Sequence, residues 1–247
     1  MNSGMVFIHG FGCSADIWRW QTGYFSAHRQ VLAVNLPGHG GRPWQGENLN
    51  AMVALVYEEC RESGLLSADI VASSFGGLVA IKLCELYPDF PRRLVFAGAL
   101  PKFTGVDDFP AGLNVKGIRR MAGQLQTDVG GVLDIFFRSI LTIQERESAQ
   151  YGLIKELRRA APLPECEALL RFLDILEQED MRTRLSALNV FSLFLFGDSD
   201  PICPLTVAEP LRKLCPMGRI EAFKNTGHFP FLTIPEVFNR RVERFLK

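Results

Sequence analysis

Runs of consecutive apolar residues recur in both halves of the chain and predict buried β-strands. These runs lie at residues 5–8, 30–36, 68–73, 93–98 and 190–196, and a shorter strand pattern follows at 219–223. Stretches with helical character separate them, at residues 16–25, 49–60, 74–87, 205–214 and 235–246. Near-continuous apolar strands that alternate with helices are typical of a parallel sheet covered on both faces. The pattern therefore predicts an α/β fold with a mostly parallel sheet of about six strands.

The middle of the chain lacks this alternation. Residues 101–188 contain no convincing strand pattern, and helical stretches are predicted at residues 115–125, 132–141, 147–160 and 165–177. An all-helical block inside an α/β chain indicates an inserted cap over the strand ends. We therefore divide the chain into an α/β core of residues 1–100 and 189–247 and a helical cap, or lid, of residues 101–188.

Composition narrows the classes of function. The 27 basic and 27 acidic residues balance, so no overall field favours nucleic acid or an anionic membrane. No apolar run approaches the roughly 20 residues that span a bilayer. The six cysteines form no C-x-x-C pair or metal-type spacing, and the first four residues are too short and polar for a targeting segment. We therefore expect a cytoplasmic monomer with reduced thiols and without a metal or cofactor.

One serine lies where a strand pattern meets a helix pattern. Ser74 follows an apolar run and precedes Phe75-Gly76-Gly77. A serine at a sharp strand-to-helix turn is the arrangement of the nucleophile elbow, in which small neighbours let the helix pack close to the strand. We therefore predict Ser74 as a catalytic nucleophile and its neighbour Ser73 as a strand-end residue.

A serine nucleophile needs a base, and the chain offers four histidines. His228 follows the last strand, in a loop that should open at the same sheet edge as Ser74. His39 lies in a glycine-rich turn, where a structural role is expected, and His28 precedes a strand. His9 belongs to a loop expected to provide backbone donors. His228 is therefore the predicted base.

The acid that orients the base is expected after the penultimate predicted strand, in Gly197-Asp198-Ser199-Asp200-Pro201. Asp200 is preferred because it lies further along the loop, with room to turn towards His228. Asp198 stays as the alternative, and both aspartates could instead cap the next helix. The order serine, aspartate, histidine is the one found along α/β-hydrolase chains.

Two backbone N–H groups are the predicted donors to the oxyanion. Phe75, the residue after the nucleophile, supplies one from a helix N-terminus, where the helix dipole also favours negative charge. Phe11 lies in His9-Gly10-Phe11-Gly12, just past the first strand, and is placed to supply the other. The alternative for this second segment is an ordinary turn between a strand and a helix.

These motifs resemble the α/β-hydrolase superfamily over essentially the whole chain. Within it, the chain is similar to the pimeloyl-[acyl-carrier protein] methyl ester esterases of biotin synthesis. The narrower likeness rests on Lys102-Phe103, Asp108-Phe109-Pro110, Ala161 to Glu165, Leu173 to Leu176, Asp180-Met181-Arg182 and His228 to Leu232. Two departures stand out: Ala72 replaces the first elbow glycine, and the two N-terminal strands common in the superfamily are not seen. The resemblance thus implies an α/β-hydrolase fold with a reduced sheet and one less-protected edge.

The resemblance also implies a substrate and a partner. Its members hydrolyse the methyl ester of pimeloyl carried by acyl carrier protein, and a serine triad would do so through an acyl-enzyme. Phe136, Phe137 and Arg138 align with the family's acyl-contacting segment, although both phenylalanines could simply be cap core. Arg158 and Arg159 share a predicted helix face with Lys155 and could dock an acidic carrier protein or form a solvated face.

Several other functions share the same motifs. A broad carboxylesterase or lactonase with another acyl pocket is the first alternative. The menaquinone-pathway synthases usually have an arginine where this chain has Leu78, and haloalkane dehalogenases need an aspartate where it has Ser74. A hydrolase fold retained for ligand sensing is the non-enzymatic alternative.

Overall fold

The six predicted strands form one parallel sheet. The computed structural model describes residues 4–110 and 112–247. The strands are β1 (Gly4–Ile8), β2 (Val31–Val34), β3 (Ala68–Ser73), β4 (Pro91–Ala97), β5 (Phe191–Gly197) and β6 (Gly218–Phe223). They pair in the order β2-β1-β3-β4-β5-β6, and every pair is parallel. The prediction of a six-stranded α/β sheet is confirmed.

The direction of strand addition reverses between β1 and β3. From β1 the chain adds β2 on one side, and all later strands are added on the other. In open α/β sheets ligands bind beyond the carboxyl ends of the strands, where the order reverses. The loop after β1 and the turn after β3 meet at this point, and they carry Phe11 and Ser74. Topology alone therefore brings the predicted oxyanion loop beside the predicted nucleophile.

Helices of the core cover this sheet. They are α1 (Arg19–Phe25), α2 (Leu49–Glu62) and α3 (Phe75–Leu86) before the cap, and α10 (Ala208–Leu214), α11 (Pro230–Thr233) and α12 (Pro235–Leu246) after it. Two of the predicted helices begin with a 3₁₀ turn, at Ala15–Trp18 and Leu205–Val207. Both edge strands are incompletely buried, β2 over residues 31–33 and β6 over residues 218–222, so burial does not single out one less-protected edge.

Between β4 and β5 the described residues form helices and no strand of the sheet. These helices are α4 (Val115–Leu125), α5 (Val129–Ser139), α6 (Ile143–Glu147), α7 (Ala149–Ala160), α8 (Cys166–Gln178) and α9 (Arg182–Ser186). The helix predicted over residues 147–160 starts two residues later as α7, and the short helix α6 before it was not predicted. Ser148 has an extended backbone that ends α6 and begins α7. We keep the name cap for residues 101–188.

One cap helix packs directly on the elbow helix. The ring of Phe172, on α8, stacks on that of Phe75 with centroids 3.9 Å apart. Both side chains are fully buried. The cap is thus joined to the core next to Ser74.

None of the helices that the structure describes combines the length and apolar character needed to cross a bilayer.

Candidate active site

Ser74 forms the turn between β3 and α3. Its backbone has φ 51° and ψ −120°, a conformation that side-chain-bearing residues rarely adopt. Such backbone strain persists where the surroundings impose it, and it is concentrated at functional sites. Here the Ser74 N–H donates to Ala97 O at 3.1 Å, and Ser74 O accepts from Gly77 N at 2.8 Å. The turn is therefore held at both ends while the hydroxyl faces a cavity.

The sharp turn depends on small neighbours, as expected from the sequence. A Cβ on Gly76 would lie 2.7 Å from the carbonyl oxygens of both Ile8 and His9. A side chain at Gly76 would push α3 away from β1. Ala72 is fully buried on β3, so its methyl group is accommodated at the position where the elbow motif has its first glycine.

Asp200 and His228 are brought together by the loops after β5 and β6. Asp200 Oδ2 lies 2.7 Å from His228 Nδ1, and both side chains are buried. The other carboxylate oxygen, Oδ1, accepts from the N–H groups of Ile202 at 2.8 Å and Cys203 at 3.0 Å. An ionised carboxylate only accepts, so His228 Nδ1 is the donor. This leaves His228 Nε2 as the atom that can take a proton.

His228 Nε2 is buried without a hydrogen-bond partner among the described residues. A buried, unpartnered ring nitrogen is uncommon in a folded protein. The nitrogen therefore makes no hydrogen bond to Ser74 in this structure, and contacts between a base and its nucleophile often tighten only when substrate binds. Asp198, the alternative acid, is exposed and contacts Ser199 and the Thr226 N–H. The geometry thus favours Asp200 over Asp198 as the partner of the histidine.

The two predicted oxyanion donors flank the same site. Phe75 is the first residue of α3, so its N–H has no intrahelical acceptor. Phe11 follows β1 and lines the cavity that contains Ser74. Its ring packs edge-on against Phe136 of the cap, with centroids 5.5 Å apart. Phe75 is therefore next to the serine in the chain, and Phe11 lines the same cavity.

A mainly apolar cavity of about 230 Å³ opens at Ser74. No charged side chain lies among the described residues that line it, and its polar contributions are Ser74, Asn114 and Ser139. The remaining wall is largely built by apolar side chains from the cap: Phe103, Leu113, Ile118, Met121, Phe136, Leu173 and Leu176. Except for Phe136, none of these residues was predicted to bind substrate, because an apolar stripe in a cap looks the same in sequence whether it fills a core or lines a cavity.

The five predicted substrate-binding residues divide between two cavities. Phe136 lines the cavity of Ser74. Phe137, Arg138, Arg158 and Arg159 instead line a second cavity of about 170 Å³, which also includes Phe229, the residue after His228. Neighbours at i and i+1 on a helix point in different directions, and this separates the two phenylalanines.

Arg158 is already engaged inside the cap. Its guanidinium lies 4.3 Å from the centroid of the Phe137 ring and forms an ion pair with Asp134. It also donates to Leu133 O at 3.3 Å. These contacts argue for a packing role at Arg158. Arg138 and Arg159 are exposed, and neither forms an ion pair with a carboxylate within the described ranges.

The ligand atoms of Asp200, Cys203 and His228 lie within 4.8 Å of one another and are the one potential metal-binding group found among the described residues. The Cys203 thiol donates to Gly98 O at 3.1 Å, and burial raises its pKa well above the ordinary value. A protonated thiol is a poor metal ligand. The group is therefore better suited to proton transfer than to metal binding.

His9 and His39, which the sequence placed outside the catalytic set, form a buried pair. Burial, and secondarily the neighbouring His39, lowers the pKa of His9 to about 3, and burial lowers that of His39 to about 4. His9 Nε2 accepts from Leu36 N at 3.0 Å, and the His39 ring stacks on Phe172 with centroids 4.5 Å apart. Both histidines therefore support the loops around the site as neutral rings.

We expect this pair to make the fold sensitive to acid. Both folded pKa values lie below the unfolded value of about 6.5, so the unfolded state binds more protons and stability is lost as the pH falls below 6.5. The unfolding free energy should drop by roughly 4 kcal/mol between pH 7 and pH 5, as measured by denaturant titration. His39→Asn should remove about half of this drop. An undiminished drop in His39→Asn would contradict the assignment.

Residues 5–241 match the sequence pattern of a family described as an alpha/beta hydrolase family. A pimeloyl-[acyl-carrier protein] methyl ester esterase of Klebsiella pneumoniae (strain 342) is 29% identical over 237 residues, which are 95% of this chain and 90% of the relative. A protein of the same description from Vibrio cholerae is 27% identical over 241 residues, or 98% of this chain and 93% of the relative.

Solved structures share the fold at lower sequence identity. An esterase from Exiguobacterium antarcticum has a TM-score of 0.89 and 21% identity, with 100% of this chain and 92% of that one covered. An enol-lactonase from Burkholderia xenovorans LB400 has a TM-score of 0.88 and 16% identity, with the same coverage of both chains. At such identities the likeness concerns the arrangement of strands and helices.

Proposed function

The chain belongs to the alpha/beta hydrolase family, and we propose that it is a serine carboxylesterase that hydrolyses the methyl ester of pimeloyl-[acyl-carrier protein]. The observation that carries the proposal is the apolar cavity at Ser74, which lacks charged side chains among its described residues. A saturated acyl chain is uncharged between its ends and suits such walls. The relatives named for this activity add support, because they match the chain over nearly its whole length.

In the proposed reaction Ser74 and His228 act in turn. The Ser74 hydroxyl attacks the ester carbonyl while His228 Nε2 accepts its proton. The oxyanion is stabilised by the N–H groups of Phe11 and Phe75. His228 then protonates the leaving methoxide, so methanol departs and an acyl-enzyme remains. Water, activated by the same histidine, releases the free carboxylate, and Asp200 keeps the ring oriented throughout.

The acyl carrier protein is proposed to dock near the second cavity. Carrier proteins are acidic, and Arg138, Lys155 and Arg159 place exposed positive charge at this opening. Complementary charges of this kind steer association and fix its orientation.

A broad carboxylesterase or lactonase is the second candidate, because nothing in the apolar walls of the first cavity selects one acyl length.

A comparison of substrates tests the function and the docking surface together. We expect kcat/KM on the carrier-linked methyl ester to exceed that on short p-nitrophenyl esters by about 100-fold. The double variant Arg138→Glu/Arg159→Glu should lower kcat/KM on the carrier-linked ester about tenfold or more and leave the small esters within twofold, since only the former needs charge complementarity. Arg92→Glu/Arg240→Glu, at two exposed arginines of the core, is the control with the same change in net charge.

Two outcomes would contradict the proposal. A preference of the wild-type protein for small esters would favour the broad esterase. An equal loss of kcat/KM on both substrates in the double variant would contradict the proposed docking surface. Rescue of a biotin auxotroph that lacks its methyl ester esterase, with Ser74→Ala as the inactive control, tests the same function in a cell. Failure of the expressed wild-type protein to rescue would count against the pimeloyl substrate.

A further inference from the structure

The loop that carries His228 is hydrogen-bonded to the cap on both sides of the histidine. The His228 N–H donates to Ile140 O at 2.9 Å. The preceding N–H, of Gly227, lies 3.1 Å from both carboxylate oxygens of Glu145. After the histidine, Thr233 Oγ1 donates to Glu145 Oε1 at 2.7 Å. One cap carboxylate therefore binds the loop before His228 and the end of α11 after it.

Glu145 is buried, with 8% of its surface exposed, at the third position of α6. Its carboxylate also accepts from the Thr142 N–H at 2.8 Å, which completes a capping box. A capping box needs no burial and works equally well at a solvent-exposed helix end. A buried carboxylate is costly unless its oxygens are hydrogen-bonded, and three neutral donors satisfy this one. The bonds to Gly227 and Thr233 explain why Glu145 faces inwards.

The contact at Gly227 leaves no space between loop and cap. A Cβ at this position would lie 2.4 Å from Ile140 O, 2.9 Å from Glu145 Oε2 and 3.1 Å from Leu141 Cα. The backbone of the loop thus rests directly on the cap. Asp200 orients the ring of His228 from the core, whereas the cap fixes the backbone from which that ring projects.

We propose that Glu145 is a positioning residue for His228. Its carboxylate holds Gly227 so that the histidine ring meets Asp200 and keeps Nε2 turned to the reacting serine. This inference rests on the proposed role of His228 as the base. Catalytic geometry is sensitive to such support, since a displacement of about 1 Å can cost on the order of a hundredfold in rate. The cap therefore acts on proton transfer as well as on substrate binding.

Steady-state kinetics on a short p-nitrophenyl ester test this role. Glu145→Ala should lower kcat about tenfold to a hundredfold and change KM less than twofold, because the acyl cavity is untouched. Glu145→Gln keeps one carbonyl oxygen and should recover part of the lost kcat. Glu147→Ala, an exposed glutamate on the same helix, should match the wild-type protein.

A second control separates positioning from helix capping. Thr142→Ala removes the hydroxyl that accepts from the Glu145 N–H but leaves the carboxylate bonded to Gly227. It should lower the unfolding temperature while kcat stays within threefold. Equal losses of kcat in Thr142→Ala and Glu145→Ala would overturn the proposal, as would unchanged kcat in Glu145→Ala. If Glu145→Ala does not fold, wild-type kcat in Glu145→Gln overturns it.

The activity of a His228→Ala variant distinguishes an error about Glu145 from an error about the proposed function. A His228→Ala variant that keeps wild-type kcat, or a wild-type protein that hydrolyses no ester, would overturn the function and the inference together. An active wild-type protein with an inactive His228→Ala variant and a fully active Glu145→Ala variant would overturn the inference alone.

Discussion

Ser74→Ala is expected to lower kcat for every ester substrate by about 10⁵-fold to 10⁶-fold, the scale of loss when a serine nucleophile is removed. The physical reason is that no acyl-enzyme can form without the hydroxyl. The remaining groups could only assist direct attack by water. The measurement is release of methanol from the carrier-linked ester and of p-nitrophenol from a short ester, at enzyme concentrations high enough to detect slow turnover.

Ser73 provides a matched control for this variant. It is the preceding residue and is fully buried at the end of β3, with no hydrogen-bond partner for its hydroxyl among the described residues. Ser73→Ala should therefore keep kcat within threefold and should not lower stability. Ser74→Ala should also fold, because serine and alanine tolerate the positive φ of the turn about equally. If the two variants lost activity equally, or if Ser74→Ala kept more than about one per cent of kcat, Ser74 would not be the nucleophile.

The strands and the elbow could be predicted because their signals are local. A buried parallel strand is a short apolar run, and the turn after β3 is marked by Ser74 and the glycines that follow it. The relative positions of Asp200 and His228 could be predicted from topology, since parallel strands present their carboxyl ends at one edge. Chain order and strand order together were therefore sufficient to find the candidate site.

One helix boundary and several side-chain contacts in the cap could not be predicted from local sequence signals. The helix predicted over residues 147–160 begins at Ala149 because the backbone of Ser148 is extended, and the short helix α6 before it was not predicted. Arg158 looked like a surface cation in the sequence, but its neighbours Phe137 and Asp134 become visible only after α5 and α7 pack together. Glu145 was not among the predicted site residues, since Thr142 and Glu145 have only the spacing of an ordinary capping box. Its burial against Gly227 is a tertiary contact between residues 82 positions apart.

Asp200→Asn is expected to lower kcat by about 10⁴-fold while the fold is preserved. The asparagine carbonyl can take over the two backbone N–H bonds that Oδ1 accepts now, from Ile202 and Cys203. Its amide NH₂ then faces His228 Nδ1 and donates to it. The ring must respond by placing its proton on Nε2, towards Ser74. The base would thus be in the wrong tautomer to accept the serine proton, although every heavy atom stays in place.

The same substitution at Asp198 separates this effect from a general change in loop charge. Asp198 is exposed two residues earlier in the same loop, so Asp198→Asn should keep kcat within threefold. Steady-state kinetics on a short ester give the comparison, and thermal unfolding of both variants should stay close to the wild-type transition. A larger loss of kcat in Asp198→Asn than in Asp200→Asn would show that Asp198, and not Asp200, is the acid that orients His228. The predicted loss of kcat in Asp200→Asn comes from the changed position of the proton on the His228 ring. The variant therefore tests the hydrogen bond between Asp200 and His228 rather than the stability of the loop.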